Sequence, residues 1–427
     1  MMPADETERT IEAINDRLGA YKRSGDPRLL WPDVDEPTRL AALAEIEYVV
    51  STTLRADRSP MPLGADDGHD ATEIGVAACT SGTGPLLGYW AETGRITVSA
   101  PTAAVLARHL THGRARAARL ERGLVGALDV LAASGIECTI LKGFHTARRY
   151  YPDPGARPMS DIDIWVDPTR IRDAEHALAG AGWIAGDTQR RPYKRDWYPP
   201  GIDRRVRALD YAHAWDPWRI ELHGSLDRIF APGVVARFRR RPGDDEPWTV
   251  DGRPVRVLAP ALLVASLAAH TSEEVHTTRL LRVIELVMVC RQESAAGRLS
   301  WPDALAVARA TGSAGFVYPA LAHAERLVPG TVDTAALAEC ARAAGPRVRA
   351  FVDRAAPSDL ARLERVTLAE KFLWTRGPLD VARRVGVMLW PKANGSIRNL
   401  IRTYARRAYR LRRGRVALRP DGDQSPH

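Results

Sequence analysis

Two aspartates spaced two apart carry the clearest chemical signal in the chain. Asp161 and Asp163 lie in DIDIWV (161–166), which alternates polar and apolar residues and predicts a strand. On a strand, alternate residues share a face, so Asp161, Asp163 and Trp165 point one way and Ile162, Ile164 and Val166 the other. Two carboxylates about 7 Å apart on one strand face repel each other, and burying both costs desolvation energy. A bridging cation relieves that repulsion. With hard oxygen donors and no clustered His or Cys, Mg²⁺ is the natural ion, two of them in a full site, with Mn²⁺ as the substitute. A third carboxylate, Glu221, sits in Arg219-Ile220-Glu221-Leu222-His223 between residues suited to a core. Three carboxylates on neighbouring strands suit two-metal phosphoryl chemistry. A D-x-D on a strand edge is often only a solvated face, so its context matters. Upstream, the apolar run IECTIL ends at Lys142-Gly143, and the loop before Asp161 contains Arg157 and Ser160. A turn at Gly143 can bring backbone N–H groups to a phosphate, and Lys142 and Arg157 can neutralise charge that the aspartates would repel.

The elements that must hold these residues follow from periodicity. Residues 1 to about 60 read as helical, 59–88 as a Gly/Pro/Asp/Thr-rich loop region, and 101–134 as a helix with a Leu stripe. Strands are predicted at 136–141 and 161–166, with a short helix at 144–151 between them. Asp167-Pro168 starts a further helix whose stripe is Ile171, Ala174, Leu178 and Ala181, and Gly182 stops it. Val206–Trp215 and Trp218–His223 read as a strand pair turned at Asp216-Pro217, another extended stretch covers 248–257, and 259–389 is helical.

The run LKGFHTARRYYPDPGARPMSDIDIWVDP, a helix followed by Gly182-Trp183, and then IELHGSL come in the order found in a known family. They resemble the uncharacterised bacterial nucleotidyltransferases of the DNA polymerase beta-like superfamily, over roughly residues 125–290. Where the wider superfamily has Gly-Gly or Gly-Ser, this chain has Lys142-Gly143 followed by Phe144, a departure that bears on how phosphates are gripped. The resemblance implies an α+β fold, a small mixed β-sheet core with helices, flanked by N- and C-terminal helical regions. The expected division is 1–120 helical, 121–258 core, 259–390 helical and 391–427 an Arg-rich tail. It further implies Asp161, Asp163 and Glu221 as catalytic metal ligands, with Glu221 able to serve as general base. Lys142, Gly143, Arg157 and Ser160 would hold the nucleotide phosphates. The implied reaction moves a nucleoside monophosphate from an NTP to a hydroxyl or phosphate acceptor on a small molecule, peptide or protein, releasing pyrophosphate. The alternative is a catalytically inactive relative that docks an anionic partner, nucleic acid or membrane surface, through its tail; the intact carboxylate trio argues against it.

Charge supports a separate tail. The 427 residues hold 61 basic and 52 acidic side chains, and nine Arg with no Asp, Glu or Lys lie between Arg398 and Arg419. The body outside that segment is charge-balanced. Leu400, Tyr404, Ala408 and Leu411 share one helical face there, a pattern suited to an anionic surface or to packing on the body. Only five residues are Lys: Lys22, Lys142, Lys194, Lys371 and Lys392. Four scattered Cys without a C-x-x-C pair predict reduced thiols, and with an acidic N-terminus and no span of about 18 apolar residues they predict a cytoplasmic protein. His270, Glu274 and His276 do not match a zinc pattern and read as helix core or pocket lining, SGTG at 81–84 lacks the rest of a phosphate-binding loop, and Tyr198, Tyr211, Trp215 and Trp218 are expected near the third strand.

Overall fold

The computed structural model describes residues 4–55, 60–64, 68–186, 194–238, 241–363 and 367–389. The Arg-rich tail lies outside the described residues. Among the described residues, one compact unit takes in those of 4–230 and 234–374, and a second takes in 231–233 and 375–389. Within the second, Pro378–Leu389 is a helix.

The first unit opens with helices α1 (Ala4–Ser24), α2 (Glu36–Leu54), α3 (Ala71–Ser81), α4 (Gly84–Glu92) and α5 (Ala100–Ala133). The expected loop region 59–88 is thus corrected: it contains α3 and most of α4. Asp70 and Glu73 form a reciprocal capping box that starts α3, and Pro85 occupies the first turn of α4, where no N–H partner is needed. Gly82, at φ 77°, makes the left-handed break between them, so SGTG is a helix–helix turn.

Seven strands build the main sheet: β1 (Thr139–Ile140), β2 (Asp161–Trp165), β3 (Ile184–Ala185), β4 (Lys194–Tyr198), β5 (Arg219–His223), β6 (Asp245–Val250) and β7 (Arg253–Leu258). Their spatial order is β6-β7-β1-β2-β5-β4-β3. β2 runs parallel to β5 and β7 parallel to β1, while the other neighbours are antiparallel, so the sheet is mixed and the fold is α+β. Helix α6 (Phe144–Arg149) links β1 to the loop before β2, and α7 (Ile171–Gly180) follows β2. After β7 come α8 (Pro260–Glu273), α9 (Leu280–Ala295) and four more helices up to Arg354.

The predicted strand 206–215 is not a strand. The backbone N–H groups of Arg207 and His213 donate to the Asp216 carboxylate at 2.7 and 3.0 Å, so the segment closes on Asp216 as a loop. The strand beside β5 is β4 instead.

One sheet face is apolar. Ile162, Ile164, Ile220, Leu222 and Val257 join Leu120, Leu124 and Leu128 of α5 and Ala174 and Leu178 of α7 in one buried cluster. Each fully buried Ile, Leu or Val side chain among them contributes about 1.5–3 kcal/mol. Trp218 enters the same cluster over Gly123 of α5, where an added methyl would lie 2.2 Å from the indole ring. Alternation along β2 and β5 therefore turns Asp161, Asp163, Arg219, Glu221 and His223 to the other face.

Candidate active site

The strand register decides which charges meet. On the parallel pair, Asp163 lies opposite Glu221 and Asp161 opposite Arg219. On the antiparallel side, β4 sets Asp196 opposite Glu221 and Lys194 opposite His223. All of these but His223 line a cleft of about 1240 Å³, together with residues of α8 and α9 and the loop before β2.

Asp163 and Glu221 are buried, and each is held by a different lysine. Lys142 Nζ donates to Asp163 Oδ2 at 2.7 Å, and Lys194 pairs with Glu221 Oε2. Nε2 of His223 lies 2.8 Å from Asp163 Oδ1 and 3.7 Å from Glu221 Oε2; since a carboxylate only accepts, that nitrogen carries the proton. Burial alone would raise the Asp163 pKa, but the Lys142 ammonium and His223 hold it well below the usual range. Glu221 is likewise lowered, burial being outweighed by His223 and Lys194. Asp161 differs. Burial raises its pKa, and the Asp163 and Glu221 carboxylates push it further up against the opposing pull of Lys142 and Arg219. Its nearest cation here is Arg219, with Nη2 3.5 Å from Oδ2 and also 2.5 Å from Glu221 Oε1.

The residues expected at the phosphates occupy one edge of this arrangement. Lys142, Arg157 and Ser160 line the cleft, and Ser160 is exposed. Gly143, at φ 62°, precedes α6 in a left-handed turn that favours glycine. A methyl added there would lie 3.5 Å from Arg157 Nη1, so that end of the guanidinium faces the turn. The other end is committed: Nε and Nη2 donate to the two oxygens of Glu285 on α9, each at 2.9 Å. Glu285 also accepts from Thr146 Oγ1 of α6.

The donor set fits a divalent ion. The buried carboxylates of Asp163 and Glu221 each offer an oxygen, these lying within 4.8 Å of one another and of a ring nitrogen of buried His223, which holds Asp163 through its N–H. Asp161, Asp163, Asp196 and Glu221 are tied by ion pairs to three cations, Lys142, Lys194 and Arg219, leaving net negative charge for a metal to neutralise. The structure thus brings Asp161, Asp163 and Glu221 to one cleft floor and sets His223 between the latter two. His223 stands in the IELH run, and Lys194 among the five lysines, yet neither stood out as a site residue. Asp196 and Glu285 left no local signal, because each meets the site only through long-range packing.

Other expected features disperse. His270 and Glu274 line the cleft, whereas His276 Nε2 lies 3.1 Å from the Glu370 carbonyl. Trp218 packs edge-on against Trp183, Trp215 is exposed under Arg119, Tyr198 lies under Arg204, and Tyr211 lines the cleft. No helix among the described residues is long and apolar enough to cross a membrane.

Comparison with known proteins adds two findings. A family described as uncharacterised nucleotidyltransferase matches residues 70–329. The solution structure of the antibiotic-resistance factor ANT(2'')-Ia is similar at 15% identity and a TM-score of 0.32, covering 49% of this chain and 98% of that one. No curated protein matches.

Proposed function

The chain belongs to the uncharacterised nucleotidyltransferase family, and from that premise we propose that it transfers a nucleoside monophosphate from an NTP to a hydroxyl or phosphate acceptor, with a divalent ion, Mg²⁺ or Mn²⁺, at Asp161, Asp163 and Glu221. The observation that carries this reading is the in-register pairing of Asp163 with Glu221 on a charged cleft floor. His223 Nε2 holds Asp163 and lies 3.7 Å from Glu221. The bound ion would neutralise the α-phosphate and favour the hydroxyl as a nucleophile. Lys142 Nζ and Arg157 Nη1 bind phosphate oxygens beside the Gly143 turn, and Ser160 Oγ adds a hydrogen bond. In the transfer, the acceptor oxygen bonds to the α-phosphorus as the bond to the pyrophosphate oxygen breaks, and the acceptor proton passes to Asp161, the carboxylate whose pKa burial and its acidic neighbours raise. Residues 121–258 form the core of this activity, and helical residues within 1–120 and 259–363 complete the walls. All four cysteines are free thiols, which supports a reducing, cytoplasmic setting.

Calorimetry with each NTP, with and without Mg²⁺, tests the reading. Metal-dependent binding is expected, and it should vanish in the Asp161→Asn, Asp163→Asn double variant; binding unchanged by that variant would overturn the metal assignment.

A further inference from the structure

The lining of the cleft is uneven. Its floor and the α8–α9 side are charged, but the residues contributed by α1 through Trp31, and by Val206 through Ala212, include no charged side chain. Leu18, Tyr21, Trp31, Leu209 and Tyr211 are the large members of this wall, and all are partly exposed.

Hydrogen bonds fix the wall and join it to the catalytic strand. Asn15 of α1 donates to the Val206 carbonyl at 2.8 Å and accepts from the Val206 N–H at 3.0 Å. Arg17 holds the carbonyls of Leu29 and Leu30 at 3.0 and 2.5 Å. The loop after Val206 closes on Asp216, and buried Arg116 gathers it from behind, donating to the carbonyls of His213, Asp216 and Pro217 at 3.1, 2.9 and 2.9 Å. The same guanidinium donates through Nε to the Met159 carbonyl at 2.5 Å, two residues before Asp161. The wall therefore stands at the Asp161 end of the floor, in a fixed position.

A single-displacement transfer needs both substrates in the cleft together. About 1240 Å³ exceeds the roughly 300–1,000 Å³ of a typical small-ligand pocket, so there is room for two. A triphosphate gains nothing from an uncharged wall, and the groups suited to it, Lys142 and Arg157, lie by α6 and α9. Resting on the nucleotidyl-transfer reading, we infer that this wall seats the acceptor, and that the acceptor is a hydroxyl-bearing molecule with an uncharged, apolar, ring-containing body. The wall packs that body against Leu18, Tyr21 and Leu209 and turns its hydroxyl toward Asp161. The transfer balances as above: an oxygen–phosphorus bond forms, the pyrophosphate leaves, and the hydroxyl proton goes to Asp161.

Hydrogen–deuterium exchange on the full chain tests this without substitution, using 7-hydroxycoumarin as the hydroxyl-bearing apolar probe and ATP with Mg²⁺ as the nucleotide. The probe should protect 18–31 and 206–212, and ATP should protect 142–163 and 219–223. In a second measurement, Leu209→Glu and Leu18→Ser, each checked for a wild-type near-ultraviolet circular dichroism spectrum, should weaken probe binding at least tenfold and leave ATP affinity within twofold. Three results would overturn the inference: no probe binding by the wild-type protein, probe protection elsewhere, or ATP affinity lost in the variants while inorganic tripolyphosphate still binds, which would make the wall a nucleobase site. A wild-type protein that binds the probe at the wall but neither ATP nor tripolyphosphate would sink the nucleotidyl-transfer reading instead, so the two failures are distinct.

Discussion

Asp163 and Glu221 lie side by side on parallel strands, and each is neutralised by its own lysine, Lys142 and Lys194. Both carboxylates are buried and acceptor-only, so removing either lysine leaves a buried charge beside its like-charged neighbour, only partly offset by His223 at Asp163 or Arg219 at Glu221. Lys142→Met or Lys194→Met should lower stability by about 3–5 kcal/mol. Added Mn²⁺ should restore more of the melting temperature in these variants than it adds to the wild type. Melting curves with and without Mn²⁺ check this, and equal shifts in all three proteins would contradict a metal role for the pair.

His223 orients Asp163 through Nε2, which also lies 3.7 Å from Glu221. His223→Leu is expected to weaken divalent-ion binding about 10–100-fold, the range for losing a group that orients metal ligands. Titration with Mn²⁺ followed by electron paramagnetic resonance measures this directly.

Glu285 holds Arg157 by two hydrogen bonds from a helix 128 residues downstream. Glu285→Ala should cost about 3–5 kcal/mol, because it strands a nearly buried guanidinium. Pairing it with Arg157→Met should recover much of that stability but not ATP affinity. Urea denaturation and calorimetry on the single and double variants separate the two effects.

Gly123→Ala tests how the core supports the site. The added methyl would meet the Trp218 ring, which directly precedes Arg219 of β5. Overpacking of this kind costs about 1–3 kcal/mol, to be read from denaturant midpoints.

Acid should destabilise the fold through buried histidines. Burial, with smaller contributions from nearby positive charge, lowers the pKa of His109 to about 4 and those of His145 and His323 to about 3. The unfolded chain binds these protons below about 6.5 while the folded chain does not, so stability is full above about 6.5 and falls as pH drops toward 4. Each histidine adds a slope of up to about 1.4 kcal/mol per pH unit. Neither ring nitrogen of His323 is hydrogen-bonded, so His323→Leu should remove about one proton of acid dependence. Unfolding free energies at pH 4–8 give that count.

The chain's own order of residues determined the chemistry of the floor. Period-two alternation in DIDIWV and RIELH is a local property, so it places Asp161 with Asp163, and Glu221 with His223, on one face before any partner strand is known. The run of motifs around them also marked the family, which matches residues 70–329. Pairing is not local. Alternation could not choose between Val206–Trp215 and Lys194–Tyr198 as the neighbour of β5, because Asp216 drew the first into a loop through backbone hydrogen bonds. That choice alone delivered Lys194 and Asp196 to the site. Glu285 arrived by helix packing, and the apolar wall by Arg116 reaching across the loop to Met159. Side-chain facing follows from the backbone of one strand, but the identity of the neighbour depends on contacts between segments far apart in the chain, and only the tertiary structure decided those.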